Sequence, residues 1–198
     1  MKKLLKENFD SQNLFEKLSL LTEIQSTQII DGLKWTSINY PSAVIIGGTA
    51  VIFYLKQSRD LTPDIDFLVD DVSSVKSVLD LNSIPYKPIV GDRGNIGITV
   101  EKFNADYLNV TSGNQYVNKL ILSTAKPVNI GGVQIKIAIP ELLAIMKIEL
   151  GRNKDADDAF ALLSSGILKK DLYVRIITEL KSYLSEYESL LSYAVLIK

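Results

Sequence analysis

Two glycines at the end of a short apolar strand constrain this chain more than any other feature. Ser42–Ile46 predicts a short buried strand, the adjacent Gly47 and Gly48 end it, and Ala50–Leu55 has the apolar character of a packed helix. A second buried strand is predicted at Ile65–Val69. Strand, glycine turn, helix and strand in this order indicate a mixed α/β core with glycine backbone exposed at one junction.

The remaining residues up to 139 predict more strands and helices around that core. Apolar residues recur with helical spacing over Leu14–Leu33 and Val72–Leu81. Further strands are predicted at Gly97–Glu101, Ala105–Val110, Val128–Ile130 and Val133–Ile139, the last two joined by a Gly131-Gly132 hairpin turn. We therefore expect an α/β (α+β) fold whose core, residues 1–139, is a mixed β-sheet with flanking helices.

From Pro140 onward the pattern becomes helical. Pro140 suits the first turn of a helix that Gly151 ends, and a second helix is predicted from about Asp155 to Leu163. One long last helix is predicted from an apolar stripe of Leu172, Ile176, Leu180, Tyr183, Tyr187 and Leu190. Residues 140–198 are expected to form a helical C-terminal subdomain packed on the core, with Tyr183 and Tyr187 in the core or an interface.

Two absences narrow the chemistry. The 198 residues include no histidine and no cysteine, which excludes Ser-His-Asp machinery, thiolate catalysis, disulfides and His or Cys metal ligands. Catalysis by this chain must therefore use carboxylates, lysine, arginine, tyrosine or hydroxyl groups. The metals that suit such groups are hard cations such as Mg²⁺.

Asp64 and Asp66 are the best candidates for that chemistry. They lie two residues apart in a predicted strand, so both carboxylates leave the same face, while Ile65 and Phe67 point into the core. Like charges so close together repel, and a divalent cation would relieve that repulsion. Asp106, in another predicted strand, is the best third ligand for a two-ion site, whereas Glu101 is expected to be solvated.

Net charge and hydropathy limit the classes of partner that the chain can have. With 22 Lys+Arg against 23 Asp+Glu, the net charge of −1 argues against a broad basic surface for duplex nucleic acid. The basic stretch from Met1 to Lys6 is not followed by a long apolar segment, and no apolar run is long enough to span a bilayer. We expect a cytoplasmic protein with no membrane partner.

These motifs together resemble the DNA-polymerase-β-type nucleotidyltransferase superfamily, in particular its AbiE-type toxin branch. The superfamily pattern of a glycine turn, Asp-x-Asp and a later acidic residue corresponds to Gly47-Gly48, Asp64-Ile65-Asp66 and Asp106. The branch adds a second block, which resembles residues 139–158 and contains Lys147, Arg152, Lys154, Asp155 and Asp158. The resemblance covers Val44 to about Leu163.

The resemblance implies transfer of a nucleoside monophosphate from an NTP to an acceptor hydroxyl, with release of pyrophosphate. Asp64, Asp66 and Asp106 would be catalytic and would bind Mg²⁺ or Mn²⁺, and Asp106 would help to deprotonate the acceptor. The residues that would bind the nucleotide are Gly47, Gly48, Thr49, Lys147, Arg152, Lys154, Asp155 and Asp158. The acceptor, whether tRNA, protein or small molecule, stays open, as do a toxin role and an antitoxin partner.

Several alternatives remain at this stage. Gly48 stands where many superfamily members carry a phosphate-contacting serine, so Thr49 or backbone alone must serve. The alternatives to catalysis are a silent nucleotide-binding or partner-binding module, or a structural protein that forms a homodimer through its C-terminal helices. Asp155 and Asp158 equally suit a helix capping box. Lys147 equally suits a lysine whose apolar stem packs on the core while its charge reaches solvent.

Overall fold

The computed structural model describes residues 23–55, 64–90 and 96–198. The first part of the predicted N-terminal helix lies outside these ranges. So does Arg59, which the sequence leaves open between a surface ion pair and a phosphate contact. No helix in the described ranges is both long and apolar enough to cross a membrane.

The α-helices of the described ranges flank one sheet and then form the C-terminal part. Their bounds are α1 Glu23–Asn39, α2 Gly47–Tyr54, α3 Val72–Leu81, α4 Gln115–Thr124, α5 Pro140–Leu150, α6 Asn153–Ser164 and α7 Lys170–Lys181. Two 3₁₀ segments occupy Glu101–Phe103 and Ser185–Leu196. The helix predicted over Val72–Leu81 has those bounds, and its N-cap Asp71 accepts hydrogen bonds from the backbone N–H groups of Ser73 and Ser74.

The strands of the described ranges form a seven-stranded mixed sheet. They are β1 Val44–Ile46, β2 Ile65–Val69, β3 Lys87–Val90, β4 Ile96–Val100, β5 Ala105–Asn109, β6 Lys126–Ile130 and β7 Val133–Ile137, in the spatial order β3-β4-β5-β2-β1-β7-β6. The β1–β7 and β2–β5 pairs are parallel and the others antiparallel. The mixed α/β class is therefore confirmed. Pro88 and Pro127 lie in the two edge strands.

The core is continuous from the sheet into the C-terminal helices. Ile65 and Phe67 are fully buried, as predicted, and Phe67 stacks on Tyr107 with ring centroids 5.2 Å apart. Leu142 and Leu143 of α5 belong to the same buried cluster as the strands. The C-terminal part is thus packed against the sheet rather than separated from it.

The prediction of a single long C-terminal helix is wrong. α7 ends at Lys181, and Leu184 adopts an extended backbone before the 3₁₀ segment Ser185–Leu196 begins. The segment packs back on α7, where the Tyr173 hydroxyl donates to the carbonyl of Leu190 at 3.1 Å. As a result Tyr187 is buried, as predicted, whereas Tyr183 is 54% exposed.

Candidate active site

Strand register brings the candidate carboxylates together. In the parallel β2–β5 pair Asp66 lies directly beside Asp106, so their side chains leave the same face of the sheet. Asp64, just before β2, completes a cluster in which one carboxylate oxygen from each residue lies within 4.8 Å of the others. Within the described residues no lysine or arginine forms a salt bridge with any of the three. The convergence predicted from sequence is therefore present.

Gly47 forms the edge of this cluster. Its φ of +66° lies in the left-handed region, and a Cβ atom there would come 1.8 Å from Asp66 Oδ2. The β1–β2 register explains the contact, because Ile46 is the direct partner of Asp66. Glycine is required at position 47 both for its backbone conformation and for the space that the Asp66 carboxylate occupies.

A cavity of about 690 Å³ opens in front of the carboxylates, a volume suited to a small ligand. Asp64, Asp66, Asp106 and the two turn glycines line one end of it. Other walls come from the segment 112–118, from α5 and from the start of α6. Glu101 lies outside it, in an exposed ion pair with Lys87, which confirms the prediction that it is solvated.

The electrostatics of the cluster are those of crowded, partly desolvated carboxylates. Burial, followed by the charges of Asp64 and Asp106, raises the pKa of Asp66 to about 7, while Lys147 and Lys154 act in the opposite direction. The pKa of Asp106 is also raised, mainly by burial, although the Thr99 hydroxyl donates to its Oδ1 at 2.7 Å and opposes that shift. A bound cation would therefore stabilise the ionised form of these carboxylates.

Thr49 has a defined place beside the cluster. Its side chain is buried, and its hydroxyl donates to the carbonyl oxygen of Asp64 at 3.0 Å. This bond ties the start of α2 to the residue that precedes β2. The Thr49 hydroxyl is therefore bonded to the Asp64 backbone, while Gly47 and Gly48 line the cavity.

The second block separates into two sets of residues. Lys147 is buried, and its Nζ lies 2.7 Å from Asp155 Oδ1 and 2.9 Å from Asp158 Oδ2. Neither alternative from sequence holds: the charge of Lys147 does not reach solvent, and Asp155 is not an N-cap, because α6 begins at Asn153 with Arg152 at the cap position. Asp155 and Asp158 are the buried counterions of Lys147 and do not line the cavity.

Two basic residues of the block do face the cavity. Arg152 and Lys154 both belong to its wall, and Arg152 is held by Asp155 through its guanidinium. Lys147 also reaches the wall beside them. The basic residues therefore share the cavity with the acidic cluster, and the charges of Lys147 and Lys154 act on Asp66.

Sequence reasoning missed a polar group on another wall. Asn114 caps α4, since its side-chain oxygen accepts from the backbone N–H groups of Tyr116 and Val117. Its amide nitrogen donates to Glu149 and to the Tyr187 hydroxyl. An asparagine before Gln115 was an available N-cap signal for α4, but no local pattern marks Glu149, which is 35 residues away along the chain.

Comparison with solved structures gives several matches. A crystal structure of an antigenic nucleotidyltransferase-like protein from Paracoccidioides brasiliensis is 14% identical, with a TM-score of 0.48 over 86% of this chain and 93% of that one. No curated protein matches the chain.

The family comparison is far more extensive. A family model described as nucleotidyltransferase of unknown function (DUF6036) matches residues 27–196. The matched region includes the glycine turn, the three aspartates and the whole second block, residues 139–158. The chain belongs to this nucleotidyltransferase family of unknown function.

Proposed function

We propose that the protein is a divalent-metal-dependent nucleotidyltransferase that moves a nucleoside monophosphate from an NTP to an acceptor hydroxyl and releases pyrophosphate. The observation that supports it most strongly is the carboxylate cluster of Asp64, Asp66 and Asp106, which faces a cavity bordered by a glycine turn. Three converging carboxylates that form no salt bridge within the described residues repel one another, and a bound cation would relieve that repulsion.

The residues present fit Mg²⁺ or Mn²⁺. All three side chains offer oxygen ligands, and their spacing within 4.8 Å allows shared coordination. Asp64, Asp66 and Asp106 would hold the metal. When bound, the metal supplies positive charge to the phosphates and lowers the pKa of a coordinated hydroxyl group.

The chain's own residues bind and orient the triphosphate. The backbone of Gly47 and Gly48 lies next to the cluster with no side chain between, so the phosphates can approach closely. Arg152 and Lys154 line the same cavity and provide positive charge near Asp66. Asp155 and Asp158 act indirectly, because they hold Lys147 and Asp155 also holds Arg152.

Asp106 is the residue best placed to accept the acceptor's proton. It lies on β5 beside Asp66, and the hydrogen bond from Thr99 fixes the orientation of its carboxylate. A neutral hydroxyl is a poor nucleophile, so this base has a direct function in the transfer.

The test is transfer of label from NTP labelled at the α-phosphate. The protein is incubated with each labelled NTP, Mg²⁺ or Mn²⁺ and cell extract, and labelled RNA, protein and small molecules are separated. We expect one acceptor class to be labelled by the wild type and by Asp157→Asn, which alters an exposed aspartate of α6, but not by Asp66→Asn. Absence of both labelling and NTP binding with either metal would overturn the proposal.

A catalytically silent nucleotide-binding module is the second candidate. The observation that favours it is the Thr49 hydroxyl, which is directed to the Asp64 carbonyl and, with Gly48 beside it, leaves the turn without a side-chain hydroxyl for phosphate. Calorimetric titration with NTP separates the two candidates. A silent module binds NTP that is recovered intact from every acceptor mixture, whereas the enzyme releases pyrophosphate.

Membership of the AbiE-type branch, a toxin role, a cytoplasmic location and an antitoxin partner are further proposals that rest on the motif resemblance. Induced expression in a bacterial host is expected to arrest growth, and Asp66→Asn to relieve the arrest. Co-expression of a small protein encoded next to the chain's own gene is expected to relieve it as well. Normal growth with the wild-type protein present at high level would contradict the toxin role.

A further inference from the structure

The cavity has two chemically different ends. One holds the aspartates, the glycine turn and the basic residues, and the electrostatic partners of Asp66 there include Lys147 and Lys154. The other is formed by Tyr116, Leu184 and Glu149, and the charge that acts on Glu149 is that of Glu186. If the proposed function holds and the phosphates occupy the first end, the second end is left for the base.

The second end is built to hold Glu149 in one orientation. Because the Asn114 oxygen is used in capping α4, its NH₂ group must face the other way, where it donates to Glu149. The Tyr187 hydroxyl also hydrogen-bonds to Glu149, and Tyr187 itself is buried. Three separate elements therefore position one carboxylate at the cavity wall.

Glu149 keeps hydrogen-bonding capacity toward the cavity. A carboxylate has about four lone-pair positions, and the bonds from Asn114 and Tyr187 use two of them. An ionised carboxylate can only accept hydrogen bonds. Burial raises the pKa of Glu149 to about 7, so at pH 8 the group that it presents to a ligand is largely an ionised acceptor beside Tyr116 and Leu184.

We propose that Glu149 selects the base of the incoming nucleotide, favouring bases with an exocyclic amino group over uracil. Adenine, cytosine and guanine offer amino N–H donors that a carboxylate accepts. Uracil offers one N–H between two carbonyl oxygens, and those oxygens are repelled by the carboxylate. This specificity rests on the proposed function, since it concerns the same site and the same NTP.

The test is the binding of ATP, GTP, CTP and UTP at pH 8 with Mg²⁺, measured by calorimetry without an acceptor. Any preference then belongs to the incoming nucleotide. We expect UTP to bind at least about tenfold more weakly than the best amino-bearing NTP, the size expected of a hydrogen bond to a charged group. In Glu149→Gln the difference should shrink to within about threefold, because the glutamine amide can donate to a uracil oxygen while accepting from its N–H.

Two variants and one stability measurement separate selection from a structural role. Glu179→Gln, at an exposed position of α7, should keep the wild-type order of affinities. Tyr187→Phe should still bind NTPs but with a smaller difference in affinity between UTP and the amino-bearing NTPs. Thermal unfolding of each variant checks that it is folded. Equal binding of all four NTPs by the wild type, or an unchanged order in folded Glu149→Gln, would overturn the inference alone. Failure of every NTP to bind would overturn the proposed function too.

Discussion

At the scale of single residues, Gly47 and Asp66 depend on each other. The carboxylate of Asp66 occupies space that a side chain at position 47 would take, and the left-handed backbone of Gly47 lets β1 turn into α2 at that point. Sequence alone indicated that this glycine ends a strand. That it also makes room for a particular aspartate follows only from the β1–β2 pairing, which no local pattern encodes.

Gly47→Ala is expected to destabilise the fold by about 2–4 kcal/mol, from left-handed strain together with displacement of the Asp66 carboxylate. If the cluster binds Mg²⁺ or Mn²⁺ as proposed, either metal should raise the unfolding temperature of the wild type but not that of Gly47→Ala. Thermal unfolding with and without metal measures both effects.

Gly132→Ala is the matched control, since Gly132 also has a positive φ but nothing lies within 4 Å of the place that an added Cβ atom would take. It should cost about 1–2 kcal/mol through strain alone and keep the full metal response. An equal loss of metal response in both variants would show that Gly47 has no particular relation to Asp66.

Asp66 makes the metal-free protein sensitive to pH. Its pKa in the folded state is about 7, above the ordinary value of 3.8, so between these values the folded state binds more protons than the unfolded state. The free energy of unfolding should therefore fall as pH rises from about 4 to 7, by up to about 1.4 kcal/mol per unit. Urea unfolding in EDTA across this range checks it. Asp66→Asn should reduce this slope without abolishing it, because burial also raises the pKa of Glu149 to about 7, and Asp157→Asn should leave the slope unchanged.

At the scale of elements, local patterns predicted most of the sheet. β2 has the predicted bounds because it is a short apolar run buried along most of its length. Alternation located β7 because only one face of that strand is fully buried. β3 and α4 escaped prediction for different reasons: Lys87–Val90 contains a proline and little apolar pattern, and Gln115–Thr124 mixes polar and apolar residues. The break after α7 escaped because burial of Tyr187 outweighed a helical period that was locally intact.

The Lys147 ion pairs join α5 to α6, and their removal is expected to be costly. Lys147→Met leaves Asp155 and Asp158 buried without their shared cation and should destabilise the fold by about 3–5 kcal/mol. Lys87→Met, which removes an exposed ion pair with Glu101, is the control and should change stability little. Urea denaturation of both variants decides; equal midpoints would contradict a structural role for the buried network.

At the scale of the whole molecule, the proposed division into residues 1–139 and 140–198 does not predict independent folding. The buried cluster includes Ile137 and Ala138 as well as Leu142 and Leu143, so one core extends across the boundary. The Asn114 amide of the first part adds hydrogen bonds to Glu149 and to the Tyr187 hydroxyl of the second part. We therefore expect no independently folding unit on either side of residue 139.

Calorimetric unfolding is expected to show one transition, with a calorimetric enthalpy equal to the van't Hoff enthalpy. The physical reason is the shared core, which neither part can keep when the other unfolds. Two resolved transitions, or a van't Hoff enthalpy well below the calorimetric value, would indicate that the C-terminal helices unfold separately.

The prolines of the outer strands limit how copies of the protein can associate. Pro88 in β3 and Pro127 in β6 lack the N–H group that an added strand needs for pairing. Extension of the sheet from one molecule into the next is thereby disfavoured at both margins. A homodimer of this chain should form through helical surfaces, which leaves the seven strands as a closed unit even at high protein concentration.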